Sequence, residues 1–223
     1  MQPIARGLVV SCQAEAGSPF HAPHILQAFA KAAELGGAVG VRLCGVETIA
    51  AVRPVVAVPI IGITKSSYAS GEVLITATIE DARACAAAGA DVVALDATRR
   101  RRPDGTDPVE LLRRVRREVK ALVMADVATL EEGLAAAPYA DYVSTTLAGY
   151  TDYTQGAPEA APDLALVRAL AERLPAGQVV CEGRIWTPEQ AAEALHLGAH
   201  AVVVGTAITR PVAIVQRFVR AMA

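Results

Sequence analysis

Short apolar runs rich in Val, Ile and Leu alternate along the chain with longer Ala- and Leu-rich segments of helical period. The apolar runs are continuous and do not alternate with polar residues, which is typical of parallel strands covered on both faces. Eight such strands, each followed by a helix, predict an α/β fold with a parallel sheet. The predicted strands span residues 8–12, 38–43, 58–61, either 73–76 or 91–95, 121–125, 141–144, 178–181 and 201–204.

Several of the intervening helices carry capping signals at their start. Residues 187–190 have the sequence Thr-Pro-Glu-Gln, which combines a capping Thr, a Pro at the first helical position and a Gln at the third. Residues 107–110 and 129–132 follow the same logic, and Thr78 precedes two acidic residues. These four positions are therefore predicted helix starts.

A Gly-containing connector recurs between a helix and the next strand, at residues 35–39, 88–92 and 197–201, with a weaker version at 137–143. Its Gly suits a helix C-terminus that leads directly into a strand. This repetition favours a barrel over an open doubly wound sheet, and no Gly-x-Gly-x-x-Gly follows a predicted strand. No linker divides the sequence, so we expect a single (β/α)₈ TIM barrel, with residues 1–223 as one domain.

Composition excludes several classes of function. A formal net charge of −2 over 223 residues offers no electrostatic attraction to nucleic acid or to a membrane, so neither is an expected partner. The N-terminus lacks the pattern of a signal peptide, and no apolar run is long enough to span a bilayer. The four cysteines are scattered without a Cys-x-x-Cys pair, which indicates reduced thiols in a cytoplasmic protein.

Functional residues of a TIM barrel lie at the carboxyl ends of the strands and in the loops that follow. Polar residues occupy these positions after most of the predicted strands, and a ring of this kind is a stronger signal than any single member. They are Gln13, Arg42, Lys65, Asp96, Asp126, Thr145, Thr146, Tyr150, Glu182, Arg184, Thr206 and Arg210.

The last two of these loops are predicted to bind phosphate. Gly183 and Gly205 would let backbone N–H groups approach an anion, and a helix predicted to begin near residues 209–211 would point its positive end inward. Arg184 could add a bidentate charge. The alternative is that both glycines only permit tight turns. Because phosphate sites in barrels favour the loops after strands 7 and 8, we prefer the phosphate site.

Lys65 and Glu182 are the candidate acid–base pair. Only three of the 21 basic residues are lysines, and lysine, unlike arginine, can lose its proton in a protein. Strands 3 and 7 lie across a barrel from each other, so the two groups could reach opposite faces of one bound carbon. Alternatively, Lys65 only anchors an anion, and Glu182 only forms a salt bridge with Arg184 or Arg210. The residues leave these interpretations open.

Two further features limit the chemistry. No histidine lies among acidic residues at a strand end, so no ligand set for a metal is evident. The run 99–102 is all arginine and precedes Pro-Asp-Gly, which indicates an exposed turn that could contribute one arginine to the rim of the site. Aromatic residues make up only 4% of the chain, too few for a nucleic-acid surface.

The strand-end residues described above, together with the residues around them, resemble those of the bacterial N-acetylmannosamine-6-phosphate 2-epimerase family. The matching segments occur in order along nearly the whole chain, whereas residues 15–23 differ most from the family pattern. They are residues 10–14, 41–42, 59–65, 96–98, 124–127, 129–133, 142–151, 181–185 and 204–211.

The resemblance implies interconversion of N-acetyl-D-mannosamine 6-phosphate and N-acetyl-D-glucosamine 6-phosphate by proton transfer at C2, a step of sialic-acid catabolism, with no cofactor and no metal. Lys65 matches the catalytic lysine of the family and Glu182 its glutamate partner. Substrate contacts are implied for Gln13, Arg42, Asp126, Thr146, Tyr150 and Arg210, and phosphate contacts for Gly183, Arg184, Gly205 and Thr206. The partner is thus a small phosphorylated amino sugar; a homodimer is compatible with the sequence.

Two other functions fit the same residues. An aldolase-type lyase would also place a lysine at a strand end, but would use it as the nucleophile that forms a Schiff base. A barrel that binds a phosphosugar without turnover is the second; the presence of both Lys65 and Glu182 argues against it.

Overall fold

The computed structural model describes residues 2–15, 17–155 and 161–222. Eight parallel strands form a closed barrel in chain order, and β1 pairs with both β2 and β8. The strands are β1 (Gly7–Cys12), β2 (Gly40–Cys44), β3 (Ile60–Ile63), β4 (Val92–Asp96), β5 (Leu122–Asp126), β6 (Tyr142–Ser144), β7 (Val179–Glu182) and β8 (Ala201–Val204). The predicted TIM barrel is confirmed.

Helices follow the strands around the outside of the barrel. They are α1 (Pro23–Leu35), α2 (Val46–Val52), α3 (Ile79–Ala87), α4 (Pro108–Glu118), α5 (Leu130–Ala136), α6 (Leu164–Ala171), α7 (Pro188–His196), α8 (Thr206–Thr209) and α9 (Pro211–Met222). None of the helices in the described ranges is long and apolar enough to cross a membrane.

The predicted helix starts are confirmed. Thr78, Thr129 and Thr187 each form a reciprocal capping box with the residue at the third helical position. Asp107 accepts hydrogen bonds from the backbone N–H groups of Val109 and Glu110. These side chains satisfy N–H groups that have no partner within their own helix, so they fix where each loop ends.

Some predicted boundaries need correction. Strands β2 and β3 each begin two residues later than expected, at Gly40 and Ile60. Of the two candidates for the fourth strand, 91–95 is confirmed and 73–76 is not. Residues 73–76 instead fold back along the chain, with an isolated antiparallel bridge between Lys65 and Ile75. The short helix α8, which begins directly after Gly205, has no counterpart among the predicted helices; the helix expected near 209–211 is α9.

Side chains alternate between two cores. Outward residues such as Ile60 pack against the helices, and inward residues such as Ile61 and Ile63 fill the barrel. Because successive side chains of a strand point to opposite faces, every second residue faces the barrel interior. This alternation determines which residues at the strand ends can reach a common space.

Candidate active site

A cavity of about 770 Å³ lies at the carboxyl end of the barrel. Ten of the twelve residues to which the family resemblance assigns a role line it, and the other two, Arg42 and Asp126, are fully buried beneath it. The ten are Gln13, Lys65, Thr146, Tyr150, Glu182, Gly183, Arg184, Gly205, Thr206 and Arg210. The strand-end residues Asp96 and Thr145 do not line it.

Strand alternation explains why the charged residues converge. On β2, Val41 and Leu43 pack outward, so Arg42 between them points into the barrel. Asp126 and Glu182 occupy the inward position at the ends of β5 and β7, since their preceding neighbours belong to the outer core. Three charged groups therefore meet inside the barrel although they are far apart in sequence.

Arg42 binds both carboxylates. Its Nη1 and Nη2 donate to Asp126 Oδ1 and Oδ2 at 3.1 Å and 2.5 Å, and Nη1 also donates to Glu182 Oε2 at 2.7 Å. Neither the Arg42 nor the Asp126 side chain is exposed, whereas that of Glu182 is 14% exposed. Buried charges require such pairing, because an unpaired one is strongly unfavourable. The cluster therefore orients Glu182 at the floor of the cavity.

The salt bridge considered for Glu182 with Arg184 or Arg210 is wrong. Glu182 pairs with Arg42, because an inward residue of β7 reaches the barrel interior and not the rim. Arg210 instead pairs with Glu15 at 2.7 Å. Arg184 donates to the carbonyl oxygens of Ala148 and Ala161.

Lys65 lies in the loop after β3, with the same inward alternation as Ile61 and Ile63. Its Nζ donates to Gln13 Oε1 at 3.0 Å, and Gln13 Nε2 donates to Ser11 Oγ at 2.8 Å. Within the described part of the chain Lys65 and Glu182 form no ion pair with each other. The space between them is part of the cavity that both residues line.

The surroundings change the proton affinity of Lys65. Burial lowers the pKa of its ammonium below the ordinary value of 10.5, and the positive charges of Arg42 and Arg210 lower it further. The guanidinium of Arg184, by contrast, is directed to the loop after β6. At a given pH, a larger fraction of Lys65 is therefore in the neutral amine form than for a lysine in water.

The pKa of Glu182 moves in the opposite direction. Burial raises it from 4.5 to about 7, and the negative charge of Asp126 adds to the increase, although Arg42 opposes it. The values of the two groups therefore approach each other. A carboxyl and an amine whose proton affinities approach each other across a cavity suit acid–base chemistry.

The loops after β7 and β8 have unusual backbone. Gly183 and Arg184 both have positive φ, at 108° and 57°, and Gly205 caps the four-residue α8. A non-glycine residue at positive φ is strained and needs support, which the contacts of Arg184 supply. The guanidinium also lies 5.4 Å from the centre of the Tyr150 ring. Arg184 therefore links the loop after β7 to the loop after β6.

The arginine run 99–102 is not a uniformly exposed turn. Arg100 lines the cavity and pairs with Asp96 at 2.5 Å, so one arginine does reach the site, as expected. Arg102 is buried and donates to the Asp96 carbonyl oxygen, contrary to the prediction. Asp96, a buried strand-end carboxylate, thus holds this loop and does not line the cavity.

Several lining residues were not singled out from the sequence, among them Ser11, Glu15 and Trp186. Ser11 precedes Gln13 by two residues and so shares its inward direction, a signal that strand alternation could have supplied. Glu15 and Trp186 lie in loops, where no such periodicity exists. Among the described residues no group of three or more His, Cys, Asp or Glu side chains could hold a metal ion.

Comparison with known proteins places the chain in one family. The family model described as "Putative N-acetylmannosamine-6-phosphate epimerase" matches residues 26–223. Two relatives carry the name "Putative N-acetylmannosamine-6-phosphate 2-epimerase". The one from Caldanaerobacter subterraneus is 48% identical over 98% of this chain and 92% of its own length. The one from Escherichia coli is 51% identical over 92% of this chain and 86% of its own.

A solved structure agrees with these sequence matches. The N-acetylmannosamine-6-phosphate 2-epimerase from Clostridium perfringens superposes with a TM-score of 0.91 at 40% identity, covering 98% of this chain and 94% of its own. Orotidine 5′-phosphate decarboxylase from Pyrococcus horikoshii, at 16% identity and a TM-score of 0.59, shares the fold alone.

Proposed function

Because the chain belongs to the N-acetylmannosamine-6-phosphate epimerase family, we propose that it interconverts N-acetyl-D-mannosamine 6-phosphate and N-acetyl-D-glucosamine 6-phosphate by inversion at C2. The observation that carries this proposal is the placement of Lys65 and Glu182, which follow β3 and end β7, across one cavity. Inversion at a carbon needs a proton removed from one face and another delivered to the opposite face.

The chemistry begins with the ring-opened sugar. Its C1 aldehyde makes the C2 proton acidic, because the carbanion formed by deprotonation delocalises onto the aldehyde oxygen as an enolate. Lys65 or Glu182 takes the C2 proton, and the opposite group then returns a proton to C2. Ring closure of the inverted aldehyde completes the reaction. No atoms are gained or lost, so the step needs no co-reactant.

One protonation state serves both directions. Lys65 amine with Glu182 carboxyl, and Lys65 ammonium with Glu182 carboxylate, hold the same number of protons. Each arrangement pairs one base with one acid, and turnover converts one into the other. The opposite pKa shifts of the two groups bring these two arrangements closer in free energy, so that either can be reached during turnover.

The remaining residues are proposed to bind and orient the substrate. The cavity is lined by Gln13, Thr146, Tyr150 and Arg210, which are proposed to contact the sugar. Gly183, Arg184, Gly205 and Thr206 are proposed to hold the phosphate through backbone N–H groups and the guanidinium. Arg42 and Asp126 contact Glu182 from below; the substrate contact that the resemblance implies for them stays a prediction.

We further propose that the protein is a cytoplasmic homodimer in which residues 1–223 form one domain. All four cysteines are free thiols, as expected in a reducing compartment.

No residue of α9 is buried among those described, and Val212, Val215, Phe218, Val219 and Met222 are all at least half exposed. An apolar helix face of this kind can pair with itself about a two-fold axis. Sedimentation of the wild type and of Phe218→Asp tests this, since only the wild type should dimerise.

The function is tested by following N-acetylmannosamine 6-phosphate by NMR in D₂O, with and without EDTA. We expect the gluco epimer to appear with deuterium at C2 in both samples. Product with only protium at C2 would contradict proton exchange with solvent, and absence of the epimer would overturn the proposed function. Borohydride that trapped substrate on Lys65 would indicate the lyase instead.

A further inference from the structure

The hydroxyl of Thr146 lies among three oxygen atoms of the buried cluster. Its Oγ1 is 3.1 Å from Glu182 Oε2, 2.8 Å from Asp126 Oδ1 and 2.8 Å from the hydroxyl oxygen of Ser144. A hydroxyl has one proton and two acceptor positions, so Thr146 can donate to only one of the two carboxyl groups at a time. Ser144, fully buried beside it, can donate its own proton to Thr146.

The polar contacts of Glu182 are unequal at its two oxygens. Within the described residues, Oε2 accepts hydrogen bonds from Arg42 Nη1 and from Thr146 Oγ1, and Oε1 accepts none from the protein. Since the Glu182 side chain is partly exposed and lines the cavity, Oε1 is the oxygen that faces a bound substrate. The contacts to Oε2 thus set the direction of the oxygen that exchanges a proton.

We propose that Thr146 is a positioning residue for Glu182, whose hydroxyl holds Oε2 and directs its single proton to Glu182 or to Asp126 according to the charge of Glu182. This inference rests on the proposed function, because it requires Glu182 to gain and lose a proton. When Glu182 is a carboxylate, Oε2 is a strong acceptor, and the order of donation is Ser144 to Thr146 to Glu182. When Oε1 is protonated, Oε2 is a weaker acceptor, and Thr146 donates to Asp126.

The change of partner needs only rotation about the Thr146 Cβ–Oγ1 bond. Asp126 keeps both bonds from Arg42 in either state, so the cluster remains paired throughout. The charged and titratable groups that act on Glu182 are Arg42, Asp126 and Lys65. Thr146 favours the carboxylate, so its loss raises the pKa of Glu182.

The test uses Thr146→Val, which keeps the shape but removes the hydroxyl, and Thr146→Ser, which keeps the hydroxyl. A hydrogen bond to a charged group corresponds to a shift of about one pKa unit. We therefore expect Thr146→Val to move the acid limb of the kcat/KM profile up by about one unit and to lower kcat/KM about tenfold on that limb. Thr146→Ser should restore the wild-type profile, and Ser144→Ala should give a smaller shift in the same direction.

Two results would overturn the proposal. A raised KM in Thr146→Val with an unmoved acid limb would make Thr146 a substrate-binding residue only. Equal loss of melting temperature and activity in Thr146→Val and Thr146→Ser would make it a structural residue.

A second measurement does not depend on turnover. In protein labelled with ¹³C at glutamate Cδ, Glu182 is assigned by the signal that is missing in Glu182→Gln. Its titration should shift upward in Thr146→Val, and an unmoved titration would disprove the proposal. A shift in protein without epimerase activity would support the role of Thr146 while the proposed function failed.

Discussion

At the scale of single residues, the cavity depends on two groups whose proton affinities approach each other from opposite directions. Burial acts on both, but it disfavours the ammonium of Lys65 and the carboxylate of Glu182, so it lowers one pKa and raises the other. Arg42 adds to the first shift and limits the second. Under the proposed function each group must gain and lose a proton, so we expect that a residue unable to do so cannot replace either one.

Lys65→Arg tests the proton-transfer role directly. Guanidinium keeps the positive charge but stays protonated at any working pH, so it cannot act as a base. General acid–base groups contribute about 10²–10⁴-fold, and we expect a kcat loss of at least about 10²-fold with KM largely retained. Lys120→Arg, at an exposed position, is the matched control. A near-normal kcat in Lys65→Arg would make Lys65 an anion anchor.

Glu182→Gln keeps the shape and the contact with Arg42 but cannot carry a proton to C2. If Lys65 alone starts the reaction from one epimer, the variant should lose epimerisation and still exchange the C2 proton of that epimer with D₂O. NMR distinguishes the two processes in one sample, and Glu189→Gln on the exposed start of α7 serves as the control. If epimerisation persists unchanged, Glu182 is only a partner of Arg42.

At the scale of elements, caps and loop contacts hold the backbone of the proposed phosphate site. The Gln190 side chain accepts hydrogen bonds from the backbone N–H groups of Trp186 and Thr187, so the capping box of α7 also orders the end of the β7–α7 loop. Arg184 fixes the same loop from the other side, through two carbonyl groups of the β6–α6 loop. Helix start and binding loop are therefore one structural unit.

Thr187→Ala should lower stability and weaken substrate binding together. Loss of a capping hydroxyl costs about 1 kcal/mol, and the freed loop carries Gly183 and Arg184. Thr129→Ala removes an equivalent capping box on α5, whose residues do not line the cavity. Chemical denaturation should show a similar loss for both variants, with a raised KM only in Thr187→Ala. An equal KM in the two variants would contradict this coupling.

Arg184→Ala should mainly raise KM, by about tenfold or more, because it removes charge-assisted hydrogen bonds made in ground and transition states alike. It should also speed hydrogen exchange around Ala148, since the guanidinium bonds that carbonyl. Arg173→Ala is the control, because Arg173 is an exposed arginine that also donates to a backbone carbonyl. A wild-type KM with a fall confined to kcat would place Arg184 in the chemistry.

At the scale of the whole molecule, the proposed acid–base system is assembled from three strands and two loops, so its pH dependence is a property of the closed barrel. Arg42, Asp126 and Glu182 lie on β2, β5 and β7, and Lys65 and Thr146 lie in the loops after β3 and β6. Below the pKa of Glu182 both proposed catalytic groups are protonated and no base is present. Above the pKa of Lys65 both are deprotonated and no acid is present. The profile of kcat/KM should therefore be bell-shaped, with an acid limb near pH 7 and an alkaline limb below pH 10.5.

Kinetics from pH 5 to 10 check this profile. An acid limb near pH 4.5, the ordinary value for Glu, would show that the buried environment does not raise the pKa of Glu182. In Glu182→Gln the residual exchange reaction needs only the neutral amine of Lys65, so its rate should rise with pH through the pKa of Lys65 and show no alkaline limb.

Local patterns in the chain account for the barrel, its helix starts and the list of residues at the strand ends. These features follow from short-range physics: continuous apolar runs, capping side chains such as Thr187, and Gly at helix ends each act within a few residues. The order of strands follows from the repeated unit. Because these local patterns mark the strand ends, ten of the twelve proposed site residues could be placed at the cavity from the sequence.

Contacts between distant segments account for the rest. Along the chain, Asp126 lies 84 positions after Arg42 and Glu182 lies 140 positions after it. Only closure of the barrel brings the three side chains to hydrogen-bonding distance. Their pairing decides that Glu182 binds Arg42 and not Arg184, and it lets burial raise the pKa of Glu182. Burial and charge act through space, so the identity of the residues at the strand ends was set locally, whereas their partners and proton affinities arose from the closed barrel.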